Sequence, residues 1–264
     1  VILAGGIDLA VGAAIGCTSI FVAMMIEHHG WPPALAAVVA LAGGTFIGLA
    51  QGLLIQLFEL PPFLITLGGL FFYRGLGLLI SRESIGITNP LVIKLSTWAI
   101  LLGQGARLPL VGILFLALLA VVSYVTAFRP IGRYVYAIGG NEQSALLMGL
   151  PVARTKIGVY AFCGFCSALA GLADTLYTSA GNALAGASLE LDAIAAVVVG
   201  GTLLSGGIGG PLGTFVGVLI FGVIQSAISF EGTLSSWWAR IVIGLLLLGF
   251  IILQRLLQLR RTNP

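Results

Sequence analysis

Apolar residues in this chain come in long runs, separated by short polar or glycine- and proline-rich breaks. The first half holds such runs at residues 7–26, 34–58, 63–81 and 108–128. A helix needs about 20 predominantly apolar residues to cross a bilayer, and each run comes close to that length. The pattern therefore predicts four transmembrane helices before residue 129.

The second half repeats this pattern with more glycine. Its apolar runs cover residues 157–178, 185–201, 211–230 and 240–253, and a glycine-dense break lies at 206–211. We expect four further crossings, the last one preceded by an interfacial aromatic pair at Trp237 and Trp238. An even number of crossings returns the chain to the side on which residue 156 lies.

The longest interval unsuited to a lipid core is the polar stretch 128–156. This stretch and the C-terminal tail contain Arg129, Arg133, Arg154, Lys156, Arg255, Arg260 and Arg261. The loops predicted on the other side contain Arg82, Lys94 and Arg107. Loops rich in Lys and Arg stay on the cytoplasmic side, so both the central loop and the C-terminus are predicted to be cytoplasmic.

The composition excludes a water-soluble domain. Hydrophobic residues make up 59% of the 264 residues and charged residues 8%, with a mean hydropathy of +1.13, whereas soluble domains have about 25% charged residues. The net charge of +3, without a basic stripe, argues against a nucleic-acid partner. Neither the Cys163–Cys166 pair nor His28 with His29 has the companions that a metal site needs. The predicted fold class is an all-α polytopic transmembrane bundle.

Two aspartates lie in apolar surroundings, Asp8 at the start of the first run and Asp192 in the run at 185–201. A carboxylate at membrane depth is costly, so it must face protein, water or a helix N-terminus. Asp8 either lines a transport pathway on a broken helix or caps a half-helix through its N–H groups, and these roles are compatible.

A five-residue pattern occurs twice, as Gly-Thr-Phe-Ile-Gly at 44–48 and Gly-Thr-Phe-Val-Gly at 213–217. Each copy follows a run that opens with one of the two aspartates. Transporters are commonly built from two such halves with broken helices near the midplane. We predict one transmembrane domain, 1–264, with broken helices and two pseudo-repeated halves, about 1–128 and 157–264, joined by a cytoplasmic loop at about 129–156.

Polar side chains inside the apolar runs are the candidates for a substrate pathway. They are Asp8, Gln51, Gln56, Asn182 and Asp192. Arg74, in the run at 63–81, is either an interfacial residue that reaches the headgroups or a further pathway residue.

A short helix is predicted inside the central loop. Asn141 is a suitable N-cap for the helix-forming residues that follow it, and Gly149 and Pro151 end the helix. The helix would present apolar side chains at 146–148, either to a groove on a partner protein or to the membrane interface.

Several motifs together resemble a known family. Residues 5–12, Gly-Gly-Ile-Asp-Leu-Ala-Val-Gly, are similar to the GGIDLSVG signature of the inner-membrane permeases of bacterial sugar ABC importers, the ribose, xylose and galactofuranose group. Residues 137–150 and 189–201 also resemble this group. Residues 84–85, 200–207 and 230–238 are most similar to one of the two galactofuranose permease subunits.

The chain departs from the family pattern in two ways. Position 10 is Ala where the family usually has Ser. Family members have further spans before the glycine–aspartate signature, so we expect an N-terminally truncated copy.

The resemblance implies a transport subunit and not an enzyme. Such a permease moves a monosaccharide across the bacterial inner membrane while a separate cytoplasmic ATPase uses ATP and Mg; the chain itself contains no GxxxxGK[ST] nucleotide-binding loop. The other implied partners are a periplasmic sugar-binding protein, a second permease subunit, identical or paralogous, and membrane lipid. The residues implied to couple to the ATPase are Gly139, Gly140, Asn141, Ser144, Ala145, Met148 and Gly149.

Other functions stay open at this point. An ABC permease for another small solute, such as branched-chain amino acids, would share the same architecture. A proton-coupled secondary transporter would need an ionisable relay, for which Asp8, Asp174 and Asp192 are candidates.

Overall fold

The computed structural model confirms the all-α membrane architecture. It describes residues 1–101 and 106–231, and after these residues 238, 241–242, 244–245, 248–250 and 252. The helices of 1–101 and 106–231 are α1 Val11–Glu27, α2 Pro33–Leu57, α3 Pro62–Ile80, α4 Pro90–Thr97, α5 Leu110–Phe128, α6 Pro130–Gly140, α7 Glu142–Leu147, α8 Val152–Thr178, α9 Leu189–Val199 and α10 Pro211–Glu231. A 3-10 turn at Ile2–Ala4 precedes α1, and the short strands are β1 Ile85–Gly86, β2 Ala99–Leu101, β3 Arg107–Pro109 and β4 Ala180–Gly181.

Proline sets many of the helix starts. Helices α2, α3, α4, α6 and α10 all begin at a proline. The fixed φ and missing N–H of proline suit the first position of a helix, where the amide would have no partner within the helix. Pro61 and Pro62 separate α2 from α3, as predicted from their inability to continue a helix.

Among the residues that the structure describes, five helices are long and apolar enough to cross a membrane, namely α2, α3, α5, α8 and the part Pro211–Ile228 of α10. Their bounds lie close to those of the predicted runs, except that α8 starts at Val152 and not at residue 157. Helix α1 is also apolar but has only 17 residues. The chain enters α1 through the 3-10 turn and a non-helical stretch, as expected for an interrupted helix.

The predicted crossing at 185–201 is wrong. Helix α9 has only 11 residues, which is about 16 Å, whereas a bilayer core is about 30 Å thick. Residues 183–188 form turns in place of helix. The prediction of a cytoplasmic C-terminus counted this run as a crossing and stays a prediction; Trp237, the basic tail and much of the run at 240–253 lie outside the described residues.

Two compact units share the chain. The first comprises Ile7–Val121 and Pro151–Glu190, and in it α2 and α8 cross at their glycines. A Cβ on Gly48 would meet the Tyr160 carbonyl, and one on Gly164 would meet the Gly44 carbonyl. The glycines of α2 therefore bring two backbones into direct contact.

The polar segment 82–107 of this unit, which contains Arg82, Lys94 and Arg107, was predicted as a loop. It contains α4, the antiparallel pair of β1 with β4, and the antiparallel pair of β2 with β3. The carboxylate of Glu27, at the end of α1, accepts hydrogen bonds from the Thr88 hydroxyl at 2.6 Å and the Thr88 amide at 2.9 Å. The segment is thus tied to the end of α1.

The second unit comprises Ile2–Gly6, Val122–Leu150 and the chain from Leu191 onward. Helix α6, which the sequence analysis did not predict, packs on the 3-10 turn. The Tyr136 hydroxyl donates to the Gly209 carbonyl at 2.9 Å, and the Gly207 amide donates to the Leu3 carbonyl at 3.0 Å. The glycine-dense break is therefore held in place by α6 and the chain start. The predicted halves, 1–128 and 157–264, stay a prediction based on sequence similarity.

Candidate functional site

Asp8 lies between the 3-10 turn and α1 and is 9% exposed. Its Oδ1 accepts a hydrogen bond from the Ala10 amide at 2.8 Å. The thiol of Cys163, on α8, donates a second hydrogen bond to the carboxylate. Asp8 thus orders the turn before α1, whose N-cap is Ala10 and which has no side-chain cap; the capping and the pathway interpretations of Asp8 stay predictions.

Three more polar side chains are buried in the same unit. They are Gln51 on α2, Tyr73 on α3 and Tyr160 on α8, which are 6%, 4% and 3% exposed. Within the described part of the chain, Gln51 Nε2 and the hydroxyls of Tyr73 and Tyr160 have no hydrogen-bond partner. A buried polar atom without a partner is destabilising by about 1–3 kcal/mol. Such atoms call for a functional explanation.

These side chains are neighbours of Asp8. Asp8 lies close enough to Tyr73 and to Tyr160 to interact with both phenols electrostatically. Nε2 of Gln51 lies where a side chain on Gly69 would be, and Ala10 Cβ is also beside Gly69, at 3.3 Å. We call Asp8, Gln51, Tyr73, Tyr160 and Cys163 the polar cluster. It joins the start of α1 to α2, α3 and α8.

The other predicted pathway residues lie elsewhere. Gln56 is five residues beyond Gln51 on α2, which places it about 140° around the helix. Its Oε1 is buried and has no partner among the described residues. Asn182 is exposed, and its Oδ1 accepts from the Leu184 amide at 2.8 Å, so it organises a turn. Asp192 is half-buried on α9 and belongs to the second unit.

Arg74 has a definite partner. Its guanidinium donates to the carbonyls of Ala183 at 2.8 Å and Ala185 at 3.4 Å. The same turns lie against α1, where a Cβ on Gly16 would meet both carbonyls. Arg74 therefore fastens the segment 183–188 beside α1 and α3, and it does not point to the headgroups.

The sequence analysis identified Asp8 and Gln51 but missed Tyr73, Tyr160 and Cys163. From the sequence alone, a tyrosine in an apolar run that belongs to a site cannot be distinguished from a packing residue or from an interfacial tyrosine at a helix end. The available signal was the hydroxyl, because a phenol buried between helices usually finds a hydrogen-bond partner. Which helices supply that partner depends on tertiary packing.

The central loop contains the predicted short helix. Asn141 Oδ1 accepts from the Ser144 amide at 2.8 Å, and Gly149 ends the helix with a φ of +75°. Both the cap and the stop of α7 are confirmed. Ala145 is fully buried, whereas Leu147 is 88% exposed and its neighbours Leu146 and Met148 are also exposed.

Gly139 and Gly140 have a packing role. A Cβ on Gly139 would meet the Leu3 carbonyl, and one on Gly207 would lie 2.7 Å from the Cα of Gly140. These two glycines let the glycine-dense break approach the end of α6. Of the residues implied to couple to the ATPase, Gly139 is thus packed against the chain start, whereas Ser144 on α7 and Met148 at its end are exposed.

Known proteins resemble the chain over almost its full length. The model of the family described as "Branched-chain amino acid transport system / permease component" matches residues 1–251. The inner membrane ABC transporter permease protein YjfF of Escherichia coli is 48% identical, over 100% of this chain and 81% of that protein.

Two further relatives have names that state a substrate. The ribose import permease protein RbsC of Bacillus subtilis is 40% identical over 97% of this chain and 78% of that protein. The fructose import permease protein FruG of Bifidobacterium longum is 36% identical over 96% of this chain and 76% of that protein. No solved structure matches the chain.

The family resemblance of the sequence motifs is thereby confirmed. Components of this kind work in the membrane together with an ATPase and a substrate-binding protein, and they are transport components and not enzymes. The chain belongs to the family of transport-system permease components and is a multi-pass membrane protein.

Proposed function

We propose that the chain is the membrane-spanning permease subunit of an ABC importer that moves a monosaccharide across the bacterial inner membrane. Galactofuranose is the proposed sugar, from the motifs at 84–85, 200–207 and 230–238. The observation that carries the proposal is the polar cluster, which puts a carboxylate, an amide and two phenols inside a permease. The named substrates of the ribose and fructose permeases support it.

The chemistry of the cluster favours a neutral polyol over an amino acid. A zwitterionic amino acid needs a cation for its carboxylate and an anion for its ammonium group. Asp8 supplies an anion, but the cluster has no cation, and the guanidinium of nearby Arg74 is used by backbone carbonyls. Sugar hydroxyls both donate and accept hydrogen bonds, which suits phenol, amide and carboxylate groups.

Gln56, Asn182 and Asp192 remain in the proposal as further positions along the substrate pathway. Asn182 directly precedes the segment 183–188, which Arg74 holds beside α1. Asn182 would therefore influence the conformation of that segment. Asp192 is on α9, after the turns at 183–188. The proposal for these three rests on their polarity within apolar sequence.

Helix α7 is the proposed contact with the ATPase subunit. Its cap at Asn141 and its stop at Gly149 make it a short rigid element, and its residues 146–148 are exposed and apolar. A short helix of this kind fits a groove on a partner. ATP binding and hydrolysis in the ATPase would then move α7 and switch the pathway between outward and inward openings.

The wider assembly is part of the same proposal. A periplasmic sugar-binding protein delivers the sugar, and a second permease subunit, identical or paralogous, completes the membrane part. The loop at 129–156 and the C-terminus face the cytoplasm. The two pseudo-repeated halves, 1–128 and 157–264, form one permease domain around the pathway.

Uptake by the native importer tests the function. Membrane vesicles containing the chain and the subunits that co-purify with it are given labelled galactofuranose, ribose, fructose and leucine, with and without ATP inside. We expect ATP-dependent uptake of a monosaccharide that survives a protonophore. Uptake of leucine in place of any sugar would support a branched-chain amino acid permease, which the family description favours, and uptake abolished by the protonophore at constant ATP would indicate a proton-coupled transporter.

The coupling role of α7 has its own test. Met148→Asp places a charge on the exposed apolar face and should reduce sugar-stimulated ATP hydrolysis about tenfold, since each 1.4 kcal/mol lost at a contact is a factor of ten. Ile131→Asp, at an exposed apolar position on the neighbouring α6, is the matched control. Full sugar-stimulated turnover in an assembled Met148→Asp complex would show that α7 only rests at the membrane interface.

A further inference from the structure

The polar cluster contains more hydrogen-bonding capacity than the protein itself uses. Gln51 Nε2, the Tyr73 hydroxyl and the Tyr160 hydroxyl are each on a side chain more than nine-tenths buried, and each lacks a partner in the ranges the structure describes. Both phenols lie close enough to Asp8 to interact with it electrostatically, and Gln51 Nε2 lies at Gly69, beside Ala10. A buried core ordinarily avoids several unpaired polar atoms in one region. The arrangement is that of a site completed by something with several hydroxyl groups.

Backbone contacts fix the position of two of these side chains. A Cβ on Gly48 would meet the Tyr160 carbonyl, and one on Gly52 would lie 3.1 Å from the Tyr160 Cβ. Tyr160 is thereby held against the turn of α2 that carries Gln51. Because glycine allows this approach, the phenol and the amide cannot be moved apart without breaking the crossing of α2 and α8.

The third side chain reaches the cluster from the opposite direction. Tyr73 on α3 packs with Ala10, Ala13 and Ala14, the small residues at the start of α1. Asp8 immediately precedes these residues, and its carboxylate is oriented by the Ala10 amide and the Cys163 thiol. A fixed acceptor therefore lies among groups that can donate.

The groups match a monosaccharide in kind as well as in number. A carboxylate oxygen accepts, an amide nitrogen only donates, and a phenol does both, so together they can distinguish the orientations of several hydroxyl groups. Aromatic rings also offer apolar faces to the C–H groups of a sugar ring. The single formal charge within the cluster, on Asp8, argues against a zwitterion as the occupant.

We propose that Asp8, Gln51, Tyr73 and Tyr160 form a defined monosaccharide-binding site inside the permease, with the two tyrosines as specificity-determining residues. The inference rests on the proposed function as a sugar permease. It goes further because it gives the permease its own sugar selectivity in addition to that of the binding protein. The alternative is that the phenols only fill space between helices.

The experiment removes one oxygen atom at a time. Tyr73→Phe, Tyr160→Phe and the double variant are prepared in the native importer complex, and uptake is measured for the transported sugar and for its monodeoxy derivatives. Tyr177→Phe is the matched control, since Tyr177 is also on α8 but 79% exposed. The amount of ATPase subunit that co-purifies with each variant reports assembly.

We expect each buried variant to raise the KM for the parent sugar by about tenfold, the usual effect of losing one hydrogen bond to a substrate. Each should also lose discrimination against one particular deoxy derivative, whereas Tyr177→Phe should keep both properties. A role in packing alone would change the amount of assembled complex and leave KM and discrimination as they were.

The outcomes separate this inference from the function on which it rests. A wild-type importer that carries no sugar contradicts the proposed function. A wild-type importer that carries sugar, with both Phe variants showing the wild-type KM and the wild-type discrimination, overturns the binding site and leaves the function intact. Should the double variant fail to assemble, the two single variants decide.

Discussion

Both copies of the Gly-Thr-Phe-x-Gly pattern allow close backbone packing, but the side chains around the two contacts differ. In α2, Gly44 and Gly48 press against the backbone of α8. In α10, Gly217 packs against the backbone of α9 at Ala196, and Gly213 packs against Gly200, directly after α9. In each copy the threonine hydroxyl donates to the carbonyl four residues earlier, at 2.7 Å in α2 and 3.3 Å in α10.

The residues around the two contacts differ. The first copy is followed by Gln51 and faces Tyr160, two members of the polar cluster. The position equivalent to Gln51 in the second copy, at the same offset of 169 residues, is Ile220, and the facing helix α9 is apolar from Ala193 to Val199. The motif therefore specifies close packing, whereas the candidate chemistry depends on what else that packing brings together.

The largest expected effect comes from filling the first contact. Gly48→Leu would force α2 away from α8 and displace Tyr160, so uptake should be abolished and the free energy of unfolding should fall by at least about 1–3 kcal/mol. Gly43→Leu is the control on the same helix, because a side chain there meets open space. Thermal unfolding in detergent and uptake in vesicles measure the two consequences.

The equivalent change in the second copy sharpens the comparison. Gly217→Leu should lower stability by a similar amount, with Gly222→Leu as its harmless control. Because the atoms nearest to a Cβ on Gly217 belong to the backbone of Ala196 and Gly200, whatever folded protein remains should keep the wild-type KM. A changed KM in Gly217→Leu would show that the two copies share the transport chemistry after all.

An intermediate effect is expected from Gln51→Leu. Removing an unpaired buried amide should leave stability unchanged or raised, while uptake falls about tenfold through the loss of one hydrogen bond to the sugar. Ile220→Met, a change of similar size at the equivalent position of α10, should leave both quantities near wild type. Normal uptake in Gln51→Leu would remove Gln51 from the substrate pathway.

The smallest effect is expected at the C-terminal ends of α1 and α9, the helices that precede the two copies of the pattern. Helix α1 ends at Glu27, whose pKa is lowered from its ordinary value near 4.5 because Thr88 donates two hydrogen bonds to the carboxylate. A lowered pKa stabilises the folded state above pH 4.5, and this contribution disappears as the pH falls through the lowered pKa.

The protection of amides in the segment 85–97, measured as exchange relative to the pH-dependent intrinsic rate, should therefore fall modestly below pH 4.5 and stay constant above it. Thr88→Val removes the hydroxyl donor and keeps the amide donor, so it should lower protection at neutral pH and weaken this pH dependence. The end of α9 should show no such response, since backbone turns at Gly201 and beyond terminate it. Equal acid sensitivity in wild type and Thr88→Val would contradict the role of this contact.

Much of the fold could be predicted because the lipid environment and proline restrict which backbone conformations a segment can adopt. The bounds of α2, α3 and α5 follow from apolar runs of spanning length and from Pro61 with Pro62, and the cap at Asn141 follows from local hydrogen bonding. Helix α6 was missed because its polar residues and glycines look like a loop until the glycine-dense break packs on it.

The candidate site could be predicted only in part. A charge such as Asp8 in an apolar run is conspicuous in sequence, and so is the amide of Gln51. The roles of Tyr73 and Arg74 depend on which distant segment lies opposite, since Arg74 binds carbonyls more than a hundred residues away in the sequence. The turns at 183–188 were taken for helix because their composition is as apolar as that of a crossing.

The glycine contact between α2 and α8 also limits how a transporter of this kind can open. Main chain lies against main chain there from Gly44 to Gly52, and the side-chain atoms at the contact are the Cβ atoms of Ala168 and Tyr160, which no change of rotamer can move aside. The two helices must therefore move together as one rigid body during the transport cycle. The conformational change has to occur in elements with looser packing, such as α5, which has no buried residue in the described chain.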